Sequence, residues 1–248
     1  MATIQHQSKS FKVNLLEPID LSIPLRPGTE NVNAWWAQPV RIEPVRMGDF
    51  IGDVNQGGSV NFKNVFLNPH GNGTHTECVG HISKESYTIN QSLKTFFFLA
   101  QLVTVTPKKI TNGDAVIFKN QLEHIDYDGC EALIVRTLPN DSSKLTRQYS
   151  GTNFPYLHHE VMHFLVEKNI SHFLIDLPSV DRESDEGKLL SHHAFWKYPE
   201  DVRTGATITE MIFVPDSVAD GMYLLNIQIT ALENDASPSK PVLYRLVD

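Results

Sequence analysis

The chain of 248 residues contains only two cysteines, Cys78 and Cys130. Two thiols are too few for the disulfide framework of a small secreted protein. The N-terminal segment lacks the continuous apolar core of a signal peptide, and no stretch reaches the roughly 18 apolar residues of a membrane-spanning helix. We therefore expect a cytoplasmic protein without a membrane partner.

Positive charge is also scarce, because 21 Lys and Arg stand against 29 Asp and Glu, for a formal net charge of −8. Binding to nucleic acid requires clustered Lys and Arg that neutralise phosphates, and the sequence contains no basic run. We expect neither a nucleic-acid partner nor an anionic-membrane partner.

The sequence shows no internal repeat, low-complexity tract or linker, which indicates a single domain over residues 1–248. Strand-like runs outnumber helices, and a helix around His159 leads directly into the apolar run HFLIDL, a step typical of α/β proteins. These features predict an α/β fold with a mixed sheet and few helices. The predicted strands are Phe11 to Leu16, Phe96 to Val105, Ala132 to Leu138, Ser171 to Leu177, Met222 to Thr230 and Val242 to Val247.

Residues 159–163 read HEVMH, which matches the helical His-Glu-x-x-His motif of zinc peptidases. A zinc peptidase turns both histidines into a cleft. Here His159, Glu160 and His163 lie on the face of the predicted helix opposite its apolar residues. We therefore expect a solvated helix face, with a zinc peptidase as an alternative function. The apolar residues are Val161, Met162, Phe164, Leu165 and Val166.

A denser group of chemically active side chains lies in NPHGNGTHTECVGH, residues 68–81. Imidazole and carboxylate together suit zinc, manganese or iron. In an extended chain His75 and Glu77 point to the same side, and Cys78 points to the other side, toward packing. A polar surface loop that is rich in histidine is the alternative. The group consists of His70, His75, Glu77 and His81.

The segment GTHTECVGH resembles the GTHxDxPxH core of the metal-dependent hydrolase family often called cyclases, which includes bacterial kynurenine formamidase and isatin hydrolase. Further matches follow in the expected order along nearly the whole chain. They are IDLSIPL at 19–25, IDLPSVD at 175–181, HHAFW at 192–196, TITEM at 207–211, and SPSKPVLYRLV near the end.

The resemblance implies a single-domain, swivel-like β/β/α fold and hydrolysis of a small amide or cyclic amide, such as an aryl formamide or an isatin-like compound. Water activated by one or two divalent ions, with zinc first and manganese second, would be the nucleophile. It also implies a homo-oligomer, either a dimer or a tetramer. A relative that binds metal without catalysis is a further alternative.

The resemblance also implies site residues. His81 is the implied general acid/base, and either His192 or His193 is a metal ligand, of which we favour His192. Asp176 and Asp181 are expected to be turn and packing residues. The complete implied set of metal ligands is His70, His75, Glu77, His192 and Glu210.

Three features depart from the family pattern. The spacing HGNGTH has one residue more than HxGTH between His70 and His75, Glu77 replaces an aspartate, and Cys78 and Val79 replace Ala-Pro. The adjacent Trp35 and Trp36 are expected either to line the substrate pocket or to pack at a subunit interface, where tryptophan is enriched.

Overall fold

The structure, a computed structural model, describes residues 1–6 and 9–247. Residues 7, 8 and 248 of the predicted domain lie outside the described residues. In the described part short strands dominate and three α-helices occur. The prediction of a mixed α/β fold with few helices is confirmed.

Elements are numbered in chain order. The strands are β1 (Ala2–His6), β2 (Lys9–Val13), β3 (Ile19–Asp20), β4 (Arg41–Pro44), β5 (Arg46–Met47), β6 (Phe50–Ile51), β7 (Lys63–Phe66), β8 (His75–Glu77), β9 (Phe97–Val105), β10 (Lys108–Lys109), β11 (Ala115–Ile117), β12 (Ala132–Thr137), β13 (Tyr156–Leu157), β14 (His172–Ile175), β15 (Thr207–Glu210), β16 (Gly221–Ile229) and β17 (Ala236–Val247). The α-helices are α1 (Ile89–Ser92), α2 (His159–Glu167) and α3 (Leu190–Trp196).

Seven strands form a closed ring in the order β17, β16, β9, β12, β14, β15 and β8, because β8 pairs with both β15 and β17. The pairs from β9 to β15 are parallel, and the remaining pairs are antiparallel. A closed ring leaves no free edge among these strands. The closing strand β8 carries His75 and Glu77, so these two side chains are held by neighbours on both sides.

Four predicted strands agree with those observed to within two residues at each end, and the first and the last differ by three residues or more at one end. The first ends at Val13, because the Asn14 side chain accepts a hydrogen bond from the backbone N–H of Leu16 and begins a turn. The last begins at Ala236, six residues before the predicted start. Proline lacks the N–H group that a strand interior uses, but the carbonyl of Pro241 still accepts a hydrogen bond from the backbone N–H of Leu21.

Alternate residues of the ring strands face opposite sides of the sheet. On one side Leu133 and Phe173 pack with α2 and α3, and on the other side Ile134 and Leu174 join a second apolar cluster. Helix α2 ends where Asn169 adopts a left-handed backbone conformation, with φ of 60°, that asparagine tolerates. The layers of strands with helices outside them match the predicted β/β/α arrangement. In the described part of the chain, no helix is both long and apolar enough to cross a membrane.

Candidate metal centre

Strand β8 points its chemically active side chains to one side. His75 and Glu77 are both fully buried, whereas the intervening Thr76 faces the other way and shares a 2.8 Å hydrogen bond with Thr209. Cys78 follows on the side of Thr76 and packs in the second apolar cluster. The predicted alternation along this segment is therefore confirmed.

Strand β15 brings Glu210 to the centre through its register. Glu210 lies opposite His75 in the antiparallel pair, and its Oε2 is 3.5 Å from Nε2 of His75. Its Oε1 accepts a 3.1 Å hydrogen bond from the backbone N–H of Val180. This contact ties the end of β15 to the loop that precedes α3.

Helix α3 contributes His192, whose Nε2 lies 3.3 Å from Oε1 of Glu77. The opposite ring nitrogen, Nδ1, is 2.7 Å from Asp181, and the same carboxylate accepts the backbone N–H groups of Ser191 and His192. Asp181 thus orients the imidazole and anchors the first turn of α3, a larger role than packing. The Nδ1 atom of His193 contacts the backbone carbonyl of Tyr198 instead.

His70 reaches the centre despite the additional residue before His75. Its Nδ1 lies 3.1 Å from Oε2 of Glu77. The additional residue fits because the chain from Asn68 to Asn72 forms a tight turn in which the Asn68 carbonyl accepts two backbone N–H groups. A Cβ atom at Gly71 would lie 2.4 Å from that of Ala37, so this turn requires glycine.

Asp235 is a carboxylate of the centre that the sequence did not indicate. Its Oδ2 is 2.8 Å from Nε2 of His70 and 3.4 Å from Nδ1 of His81. The pairing of β17 with β8 brings it there, because its neighbour Ala236 lies opposite Glu77. No motif surrounds Asp235 in the sequence, and only the strand register reveals its position.

The carboxylates and imidazoles of the centre shift one another's pKa values. Burial lowers the pKa of His70, but the carboxylates of Asp235 and Glu77 outweigh burial and raise it to about 10. Burial of His192 is likewise outweighed by Asp181 and Glu77, which raise its pKa to about 10. Although burial opposes ionisation of Glu77, the surrounding imidazoles hold its pKa well below the ordinary value. The carboxylates therefore favour positive charge at this position.

Four atoms of ligand type in the centre have no hydrogen-bond partner in the described part of the chain: Nε2 of His75, both carboxylate oxygens of Glu77, and Nε2 of His192. Their contacts with neighbouring acids and imidazoles, at 3.1 to 3.9 Å, do not have hydrogen-bond geometry. Buried polar atoms are nearly always paired, so such a set fits a bound cation. Nitrogen and carboxylate oxygen donors suit a divalent metal of the zinc or manganese type.

Ligand atoms within 4.8 Å of one another form three groups that overlap. Each pair of groups has one residue in common, which is His70, Glu77 or His81, so the donors surround one continuous centre. Glu210 belongs to none of the three, although it contacts His75. The groups are His70 with His75 and Glu77, Glu77 with His81 and His192, and His70 with His81 and Asp235.

A cavity of about 310 Å³ opens beside the centre, and His70, His81, His192 and Glu210 all line it. Its size lies at the lower end of the range for small-molecule sites. Trp35 also lines the cavity and packs edge-on against Phe154, with ring centroids 5.7 Å apart. Trp36 is not part of the lining, and 71% of it is exposed.

The HEVMH segment of α2 contributes no side chain to these groups. Val161, Met162, Phe164 and Leu165 are buried, whereas Glu160 and His163 are exposed and His159 is half-buried. Neither histidine of the motif belongs to a group of three close ligand atoms among the described residues. The helical-face interpretation is confirmed.

Comparisons with known proteins show the family of the chain and agree with its fold. A family model described as "Putative cyclase" matches residues 19–182. A kynurenine formamidase from Bacillus cereus (strain ATCC 10987 / NRS 248) is 31% identical over 191 residues, which cover 76% of this chain and 82% of that protein.

Solved structures share the fold at low sequence identity. A structure described as a potential metal-dependent hydrolase with cyclase activity has a TM-score of 0.65 at 17% identity. The matched part covers 92% of this chain and 97% of the other chain. Isatin hydrolase A from Labrenzia aggregata, bound to benzyl benzoate, has a TM-score of 0.66 at 14% identity, over 92% and 93% of the two chains.

Proposed function

We propose that this chain, which belongs to the putative cyclase family, is a metal-dependent hydrolase that cleaves the C–N bond of a small amide or cyclic amide. The names of its relatives, a kynurenine formamidase and an isatin hydrolase, suggest the substrate class. Aryl formamides and isatin-like compounds are therefore the first candidates.

The observation that carries this proposal is the set of four unpartnered ligand atoms on His75, Glu77 and His192. With His70 and Glu210 they form a donor set for one or two divalent ions, with zinc the first candidate and manganese the second. A bound ion of this kind supplies a Lewis acid and lowers the pKa of water toward neutrality. No serine or cysteine nucleophile is then required.

His81 is proposed as the general acid/base. Its Nδ1 faces Asp235 at 3.4 Å and Glu77 at 3.7 Å, which leaves Nε2 as the nitrogen available to a substrate in the cavity. Imidazole suits proton transfer to a leaving nitrogen, because its ordinary pKa lies near neutral pH. Trp35 would form the cavity wall beside an aromatic substrate, whereas the exposed side chain of Trp36 suits an intersubunit contact.

A cytoplasmic homo-oligomer completes the proposal. Both cysteines are free, which accords with a reducing compartment. The antiparallel pair of β4 and β7 exposes Val65 and Phe66, with 58% and 43% of these residues accessible, and such apolar surface is often covered by another subunit. Light scattering coupled to gel filtration measures the oligomeric state.

The direct test is to purify the protein without added metal or chelator, measure the bound metal, and assay aryl formamide, isatin and lactone substrates. We expect bound divalent metal and hydrolysis of at least one amide. Bound metal without hydrolysis of any substrate would identify a metal-binding relative that has lost catalysis.

The variant His81→Asn tests the acid/base assignment. It should lower kcat by about 10²- to 10⁴-fold and leave the metal content unchanged, because removal of a general acid/base affects proton transfer rather than metal binding. Full activity of this variant would contradict the assignment.

A further inference from the structure

The cavity beside the metal centre contains one permanently charged cation. Among the described residues that line it, Arg182 is the single arginine or lysine. Its side chain is 41% exposed, so it remains accessible to a ligand.

The guanidinium is held in one orientation by a buried carboxylate. Nε and Nη2 of Arg182 donate to the two oxygens of Asp114 at 2.9 and 3.2 Å, and Nη1 donates to the backbone carbonyl of Ser184 at 2.8 Å. Asp114 is only 1% exposed and also accepts hydrogen bonds from Asn153 and Tyr156. This arrangement fixes the orientation of the guanidinium plane before a ligand binds, which limits the conformational entropy lost on binding.

Two N–H groups of Arg182 remain after these contacts. A guanidinium carries five N–H donors, and the three bonds described above use one on each nitrogen. One N–H on Nη1 and one on Nη2 are therefore left as donors for the oxygens of a ligand.

The acidic residues of the same cavity do not compete for these donors. Glu183 accepts the backbone N–H groups of Gly151 and Asn153 with its two oxygens. Asp185 accepts those of Gly187 and Leu189. Both carboxylates already accept hydrogen bonds from backbone N–H groups, so neither needs Arg182 as a partner.

We propose that Arg182, oriented by Asp114, forms a subsite that binds a carboxylate on the substrate while the amide lies at the metal centre. The inference rests on the proposed function for the identity of the reaction. It adds the residue of this chain that selects an anionic group on the substrate.

The test uses the metal-loaded protein and two pairs of probes that differ only in charge. Benzoate and benzamide are titrated by calorimetry, and a carboxylate-bearing aryl formamide is compared with its carboxamide analogue in steady-state assays. Arg182→Gln should weaken benzoate binding and raise KM for the anionic formamide by about ten- to hundredfold, as expected for loss of a charge-assisted hydrogen bond. Benzamide binding, and kcat for both formamides, should change less than twofold.

Arg147→Gln is the matched control, because Arg147 also pairs with an aspartate, Asp141, but lies outside the cavity lining. It should leave all four measurements unchanged. If Arg182→Gln does not fold, Arg182→Lys decides the question. Lysine keeps the positive charge but lacks the planar set of N–H donors, so the affinity for benzoate should fall at least threefold.

Unchanged benzoate affinity in the folded Arg182 variant would overturn the inference and place the anion elsewhere, for example on the metal. Hydrolysis of both formamides with no dependence on Arg182 would overturn the subsite but leave the proposed function intact. If Arg182→Gln loses benzoate binding but the wild-type protein hydrolyses no amide, the subsite is retained and the proposed reaction is rejected.

Discussion

Two short segments of this chain combine histidine with glutamate, and their surroundings differ completely. In α2, Glu160 and His163 project outward from a helix whose other face is buried. In β8, His75 and Glu77 are fully buried and meet side chains from β15, α3 and the turn before β8. The residue types are nearly the same, but only the second segment supplies buried atoms without partners.

The difference shows that a metal centre depends on convergence more than on composition. Adjacent turns of a helix can align two imidazoles, but they cannot bring a third donor from another element. Strand β8 lies between two strands, so register alone places Glu210 and Asp235 next to its side chains. Desolvation then makes each unpaired donor costly, which favours a bound cation.

The largest effect should come from the paired change His75→Ala and Glu77→Ala. It removes three of the four unpartnered ligand atoms, so bound metal should fall to background and hydrolysis should fall by at least about 10³-fold. Elemental analysis and the amide assay measure the two quantities. A variant that keeps its metal would show that β8 is not the metal-binding segment.

Asp235→Asn should have a smaller effect. The carboxylate holds Nε2 of His70 at 2.8 Å, and loss of such an outer partner costs about 10- to 100-fold in metal affinity. Competition with a chelator measures this affinity. Asp128→Asn is the control, because Asp128 pairs with Lys9 on the surface, and equal affinities in the two variants would contradict a role for Asp235.

His172 allows a third comparison, with a buried histidine whose hydrogen-bond partner is the Thr207 hydroxyl. Burial, followed by the nearby charge of Arg203, lowers its pKa to about 3. Below pH 6.5 the unfolded chain therefore binds a proton that the native state does not, so stability decreases as pH falls from 6.5 toward 3. The contribution should reach about 2 kcal/mol at pH 5.

Urea unfolding at pH 7 and pH 5 measures this contribution. His172→Gln should reduce the difference in unfolding free energy between the two pH values, whereas the exposed His124→Gln should not. An identical pH dependence in wild type and His172→Gln would show that the histidine is not buried in its neutral form.

The smallest effect should follow from His159→Ala combined with His163→Ala. These side chains contribute no ligand atoms to the centre, and surface substitutions change the free energy of unfolding by about 0.5 kcal/mol or less. Metal content and hydrolysis should equal those of wild type. Loss of metal in this variant alone would restore the peptidase hypothesis.

Local patterns in the sequence were sufficient for much of the fold. The apolar period of α2 predicted which residues are buried, and the alternation at β8 predicted that His75 and Glu77 share a side. Both predictions depend on geometry that repeats every few residues. The start of β17 was predicted six residues too late. The two prolines in this part of the strand lack an N–H group, but a proline carbonyl can still accept a hydrogen bond, as that of Pro241 does.

By itself the sequence determined the fold class and the segment that bears the candidate metal centre, because helix period, strand alternation and the GTHTE core are properties of neighbouring residues. Only the tertiary structure decided that His192 rather than His193 faces Glu77, that Asp235 and Asp181 hold the histidines, and that Arg182 reaches the same cavity. These choices depend on strand register and on loop geometry. Register joins residues far apart in the chain, and no local pattern records which of them will meet.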